Sequence, residues 1–437
     1  MGTDRERQSE PVLKRKLGLL DAVSIGLGAI IGAGIFVLVG IAAGIAGPGV
    51  FISVIVAGVS AAFTALSFAE LGAAMPRAGG AYEYGHELIS HPVGFLMGWL
   101  FVSGNIVVGA TVSLGFGYYL ASALAFIPFR SGALLSLALV IVFNAVGMKR
   151  SALINDLFVL VKVGALSAFI LLGLPRINPA HFDDLFPNGL IPILQAAALF
   201  YFAYIGFPRI ATAAEEIKAP ERNIPRAILL SLSFSSLIYL LTSITAIGLV
   251  GYEALGHSPT PIADASAALG LRGFIGVGAL FATLSVALTS VMGQSRVFFA
   301  MARNGEMPQF LSRLNRRFET PIYSILLSGI VMMALASSVD IAGLASLGSF
   351  CVLLTHILVN YAALKLRGSA PRRGTSSKAP LHELHAAVGL LLSLALTLSL
   401  AMNAILMGLG VSAIGLVWYW SYAKVTGGSQ RTSRAGR

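Results

Sequence analysis

The chain has 437 residues, 56% of them hydrophobic and only 11% charged. Soluble domains carry roughly 25% charge, so a soluble fold is excluded and the bilayer is the expected solvent. The net charge of +11 would suit nucleic acid, but the lysines and arginines stand in short loops and tails between apolar runs, which argues against a nucleic-acid partner. The single cysteine, Cys351, rules out an intrachain disulfide, and no thiol-held metal cluster is expected.

The tail 1–17 begins MGTDRERQSEPVLKRK, too polar to open a signal peptide. The apolar segment behind it outruns a signal h-region without a cleavage site, so it is expected to remain as the first helix. A spanning helix needs about 20 apolar residues. Runs of that kind lie at 19–45, 49–75, 94–125, 131–147, 153–174, 190–214, 226–250, 272–301, 321–338 and 341–365. The segment PRAGGAYEYGHELISHP, 76–92, is long enough for a short interfacial helix. The final block, 386–423, would be ~57 Å long as one helix against a core of ~30 Å. Two helices with a tight turn near Asn403 to Gly410 fit better and bring the count to twelve.

The positive-inside rule tests that count. With the N-terminus inside, the inner segments carry Lys14, Arg15 and Lys16; Arg77; Lys149 and Arg150; Lys218, Arg222 and Arg226; Arg303, Arg313, Arg316 and Arg317; Lys365, Arg367, Arg372, Arg373 and Lys378; then Lys424 and the tail. The outer loops carry only Arg130, Arg176 and Arg272. Both termini are therefore expected in the cytoplasm of a multi-pass cell-membrane protein.

Two spans look broken. The first contains GLGAIIGAGIF, with four glycines between 26 and 34. Each glycine weakens a helix by about 1 kcal/mol relative to alanine. Close packing through small residues accounts for such a run; so does an unwound stretch whose freed amides hold a carboxylate. The sixth span, LFYFAYIGFPRIATAAEE, has Gly206 and Pro208 near its middle, a stronger break signal. Interrupted helices at matching positions of two halves point to a transporter site. Five spans invert orientation, so spans one to five and six to ten would be inverted repeats.

These segments resemble the amino acid–polyamine–organocation (APC) superfamily. GAIIGAGIF is similar to its first-helix motif, SFAELGAAMPRAGGAYEY to the segment after its second helix, YFAYIGFPRIATAAEEIKAPERNIPRAI to its sixth helix and following loop, and AMARNGEMP to the end of its eighth. The resemblance implies an all-α integral membrane protein of LeuT-type fold. It would have twelve transmembrane helices, with inverted repeats over 18–175 and 186–367, two further helices over 385–424 and a tail over 425–437. It also implies secondary transport of amino acids or related amines. The substrate carboxylate would meet amides of Gly32, Ala33 and Gly34, and the amino group the carbonyls of Ile30, Phe202, Ala203 and Ile205. Phe202 matches an aromatic gate and Asn105 a substrate-facing position; ordinary packing and an interhelical hydrogen bond are the alternatives. Many relatives carry an acidic residue where Pro208 stands, so coupling through that acid is not available here. Arg209, beside it, could pair with Glu215 or Glu216 or face a water-filled vestibule.

The fifth span, LFVLVKVGALSAFILLGL, holds one charge, Lys162. An intramembrane ionisable residue is a functional candidate, but Lys162 lies only ~10 Å beyond Asn155 and could snorkel out. The resemblance weighs on the side of function. In a sodium-free APC subset, a lysine here takes the place of the cation between helices one, five and eight. Its partners would be the Gly28 carbonyl and the Ser285 hydroxyl. Burial disfavours the charged form of an amine, so a proton binding and leaving there would tie and release these helices. The expectation is proton-coupled amino-acid symport without sodium, cofactor or metal. A sodium-independent exchanger or uniporter with Lys162 as a permanent strut is the alternative.

The pocket wall is small and apolar, with no acid placed for a cationic side chain, which favours neutral amino acids. A receptor lacks a sensing domain. An enzyme lacks a visible site: the histidines are scattered, His356 suits packing, and GLGAIIG follows no strand, so it is no dinucleotide fingerprint. Glu70 is expected to pair with a loop arginine such as Arg77, and Glu215 and Glu216 to join Lys218, Arg222 and Arg226.

Overall fold

The structure, a computed structural model, describes residues 15, 17–76, 79–146, 148–315, 318, 320–368 and 382–423. Both polar tails and several of the basic residues used above (Lys14, Lys16, Arg77, Arg316, Arg317, Arg372, Arg373, Lys378 and Lys424) lie outside them, as do the side chains of Lys149, Arg150 and Arg367.

Among the described residues the chain is helical, apart from an isolated bridge between Leu17 and Ile217. The helices are α1 (Leu19–Ile30), α2 (Val39–Ala46), α3 (Val50–Ala74), α4 (Ala81–Leu88), α5 (His91–Ala123), α6 (Phe129–Ala145), α7 (Met148–Gly173), α8 (Ile191–Phe200), α9 (Pro208–Thr212), α10 (Pro220–Val250), α11 (Tyr252–His257), α12 (Pro261–Ala265), α13 (Arg272–Arg303), α14 (Ile322–Ser338), α15 (Ile341–Gly368), α16 (His382–Ser399) and α17 (Met402–Trp418). Among the described residues, eight stretches are long and apolar enough to cross a membrane, the first running 56 residues from Leu19 to Ala74. Three shorter apolar helices, Phe129–Ala145, Ile322–Ser338 and Leu384–Ser399, join them. Large apolar side chains such as Leu160, Leu171, Ile330, Leu398 and Val417 stay exposed on the outer faces, as lipid contact requires.

Both suspect spans are discontinuous. After α1 the backbone runs extended at Ile31 (φ −77°, ψ 104°) and resumes as a π-helical turn over Gly34–Leu38 before α2. After α8 comes a 3-10 turn over Tyr201–Tyr204, then Gly206, and Pro208 opens α9. Proline suits that first helical position, where its missing N–H would have no partner anyway. The two breaks cross at bare backbone. A Cβ on Gly206 would lie 2.2 Å from the Ala29 carbonyl carbon, and one on Gly34 would lie 2.4 Å from the Ala203 Cβ. Glycine content in these spans thus serves close approach as well as unwinding.

The last apolar block divides elsewhere than the sequence suggested. Its break falls at Leu400–Ala401, not between Asn403 and Gly410. Asn403 lies in the first turn of α17, its side chain accepting from the Ala404 amide. Gly408 is a packing residue: a Cβ there would sit 1.9 Å from the Phe350 ring.

Candidate functional site

A helix end leaves its last four carbonyls without intrahelical donors. At α1 these belong to residues 28 to 31, because the Ile31 amide makes the last helical bond, to Leu27. Burial demands partners for them, and four other helices supply these. Lys162 Nζ on α7 donates to the carbonyls of Gly28 (3.0 Å) and Ile31 (2.7 Å) and to Ser285 Oγ on α13 (3.1 Å). Arg209 Nη1 on α9 reaches the Ala29 carbonyl at 3.3 Å. The Tyr239 hydroxyl on α10 lies 2.7 Å from the Ile30 carbonyl and 3.1 Å from that of Ala203, bridging the two breaks.

Lys162 does not snorkel. It is fully buried, whereas Leu160, two residues and about 200° away around α7, is exposed to the outside. An ammonium has three donors and no acceptor, and here it meets three oxygens. Ser285 Oγ lies a further 2.8 Å from Asn155 Oδ1 and 3.0 Å from the Gly28 carbonyl. Asn155 Nδ2 in turn donates to the Ser24 carbonyl (3.0 Å) and lies 3.3 Å from its hydroxyl, which bonds the half-buried Asp156 carboxylate. A polar file therefore leads from the buried amine toward Asp156.

Arg209 reaches neither Glu215 nor Glu216, correcting that expectation. Its Nε donates to Asn105 Oδ1 (2.8 Å) and Nη1 also meets Thr289 Oγ1 (3.1 Å). Asn105 spends its amide nitrogen on the Phe101 carbonyl of its own helix (2.8 Å). Glu216 pairs with Arg296 at 2.8 Å and Glu215 approaches Arg303 at 3.9 Å, while Lys218, Arg222 and Arg226 are exposed. Both glutamates thus reach arginines of α13. Glu70 lies 3.4 Å from His385 Nε2.

The residues expected around a substrate come together where the breaks cross. Residues 29–40 and 196–214 are all buried, so the centre is closed over. Among the described residues, the amides of Gly32, Ala33 and Gly34 donate to no backbone carbonyl, leaving three N–H groups at the head of the second half-helix. On the opposite wall the Ala203 carbonyl already accepts from Tyr239 and the Phe202 carbonyl from the Ile205 amide at 3.3 Å, each keeping a second lone pair. A Cβ added to Gly348 on α15 would lie 3.3 Å from the Phe202 ring, so a side chain there would crowd the ring. Tyr239→Phe removes the bridge between the breaks; a loss of about 1–3 kcal/mol in stability, read by thermal unfolding in detergent, is the expected result.

Sequence reasoning missed the Ile31 carbonyl, Asn155 and Tyr239. A lone tyrosine inside the seventh apolar run was the available signal for the last. It also missed a cluster at one end of the bundle. His86 Nε2 meets Glu306 Oε1 (2.7 Å), His91 Nδ1 lies 2.9 Å from His86 Nδ1, and the Tyr82 hydroxyl donates to Glu306 Oε2 (2.8 Å). Burial first, and the Glu306 charge second, push the Tyr82 hydroxyl far above its usual range, so it stays a donor. His356 sits among the rings of Phe68 and Phe207 and bonds the Tyr201 hydroxyl at 2.7 Å, a packing role.

A family described as amino acid permease matches residues 17–429. An uncharacterized transporter of Mycobacterium tuberculosis is 37% identical over 92% of this chain and 91% of its own. A branched-chain amino acid permease of Bacillus subtilis is 30% identical over 95% of this chain and 94% of its own. A vacuolar cationic amino acid transporter of Arabidopsis thaliana is 32% identical over 82% of this chain and 64% of its own.

Proposed function

We propose that this chain, which belongs to the amino acid permease family of the APC superfamily, carries amino acids across the cell membrane by proton-coupled symport. The reading takes the twelve-span, LeuT-type topology with inverted repeats over 18–175 and 186–367 and both termini inside. The substrate carboxylate would sit on the amides of Gly32, Ala33 and Gly34, where a half-helix head attracts an anion. Its amino group would use the spare lone pairs of Ile30, Phe202, Ala203 and Ile205, under the Phe202 ring. Neutral side chains suit the apolar wall.

The observation that carries the coupling is the three-oxygen setting of Lys162. The protonated amine donates to all three and ties α1, α7 and α13 together. Once the proton leaves, the amine has two N–H donors and one lone pair, and only the Ser285 hydroxyl can turn to donate to it. Proton loss thus loosens one contact in the cage and disturbs the Asn155 file, which leads toward the half-buried Asp156. No bound sodium is required where an ammonium already satisfies these oxygens.

A second reading, sodium-independent exchange with Lys162 as a permanent strut, draws on Arg209. A guanidinium that never loses its proton holds the neighbouring Ala29 carbonyl, so a fixed cation does suit this row of oxygens. A radiolabelled amino-acid panel in proteoliposomes, with and without an inward proton gradient and with sodium omitted, decides between them. Symport is expected to give concentrative uptake that collapses when the gradient is dissipated. A strict sodium requirement would overturn the proposal.

A further inference from the structure

Arg209 is a permanent charge that proton coupling leaves without a task. It is 1% exposed. Its guanidinium carries five N–H donors. Nε serves Asn105, and Nη1 serves the Ala29 carbonyl, Thr289 Oγ1 and, at 3.5 Å, the Val286 carbonyl. Nη2, with two N–H groups, is buried and has no acceptor among the described residues. Among the described residues no carboxylate pairs with Arg209 or with Lys162, and the buried Glu216 and Glu306 are engaged elsewhere. Burying an ion without a counter-charge is costly, and leaving its donors unused adds to the cost. Arg209 stands beside the crossing of the breaks: its own segment follows Gly206, which touches Ala29, and its partner Asn105 comes from α5.

We propose that Arg209 sets the charge class of the substrate: its free Nη2 donates to an anionic group of the bound amino acid, and its fixed charge turns away cationic side chains. The proposal rests on the amino-acid transport reading above. Three observations converge on it. The unused donor is buried and cationic, so its natural acceptor is a carboxylate, in the strong class of charge-assisted bonds. The three free amides of the first break add positive potential to the same crossing. Among the described residues the centre holds Lys162 and Arg209 with no carboxylate paired to either, so a cationic ligand would bring a third positive charge. In a medium of effective dielectric ~20, a positive charge ~7 Å from the guanidinium is bound roughly fifty-fold more weakly than a neutral one.

The test uses the full-length protein, purified and reconstituted, with labelled leucine as reporter and unlabelled leucine, glutamate and lysine as competitors. Wild type is expected to tolerate glutamate and to exclude lysine by at least about tenfold relative to leucine. Arg209→Gln, which keeps an amide but no charge, should bring lysine to within about threefold of leucine. Arg209→Lys keeps the charge and loses the planar second nitrogen; lysine should stay excluded while glutamate competes more weakly than in wild type. The lysine variant also decides the question if the glutamine variant does not fold. Lysine competing as well as leucine in wild type overturns the proposal, as does an Arg209→Gln protein with wild-type selectivity, which would leave Arg209 a structural strut whose free nitrogen holds only water. Absence of uptake or binding of all three amino acids by folded wild type would instead remove the transport reading itself.

Discussion

Lys162→Ala is expected to abolish pH-driven concentrative uptake, by at least about a hundredfold, while counterflow of preloaded substrate stays within about threefold of wild type. The expectation follows from the oxygens left behind. The Gly28 carbonyl keeps Ser285 as a donor, but the Ile31 carbonyl loses the contact it made with Lys162. One buried acceptor without a donor costs about 1–3 kcal/mol, enough to soften α1 against α7 but not to unfold a bundle of this size. The centre remains assembled, since Tyr239 and Arg209 still hold Ile30 and Ala29. What disappears is the group whose bonding changes when a proton arrives. Equal loss of counterflow and concentrative uptake would mean that Lys162 is a strut; unchanged uptake would remove it from the mechanism altogether.

Gly206→Ala should be at least as damaging by a different route. The added methyl would lie 2.2 Å from a backbone carbon, 2.4 Å from the Ala29 oxygen and 2.5 Å from the Ile30 nitrogen. No rotamer change relieves a clash between a Cβ and main chain, so the breaks must separate. Overpacking of this kind costs about 1–3 kcal/mol or more. The larger consequence is geometric: Tyr239 can no longer span both breaks, and the free amides move away from the Ala203 wall. Transport is expected to fall below about 1% of wild type, with a lowered melting temperature in detergent, whereas Gly164→Ala, where a Cβ meets nothing within 4 Å, should change neither. Normal transport by the Gly206 variant would mean that the breaks do not need this contact.

Much of this was readable beforehand, for identifiable reasons. Hydrophobic runs report the solvent of a helix directly, so the membrane class needed no tertiary information. Helix interruption is local chemistry: Gly206 and Pro208 signal it in any context. A charge in an apolar run is conspicuous, which singled out Lys162 and Arg209. The destinations of their side chains were not equally legible. Arg209 was given two glutamates close in sequence, but Asn105 and the Ala29 carbonyl, remote in sequence, are nearer in space. Gly408 looked like part of a turn because a glycine made necessary by a facing phenylalanine has the same letter as one needed for a bend. The His86, His91 and Glu306 cluster joins positions 220 apart, which no spacing rule reaches.

The four gripped carbonyls at the end of α1 bear on leakage. Donors from α7, α9, α10 and α13 hold four successive oxygens, each bond contributing about 1 kcal/mol net. A tilt of α1 that frees one of them strains the others, so partial opening gives up several contacts without reaching a new set. Packed elements under such constraint hop between two arrangements and do not deform gradually. If transport is proton-coupled as proposed, half-open forms through which ions could slip without substrate should then be rare, and the crowding around residues 28 to 31 would act as a seal against an uncoupled proton current.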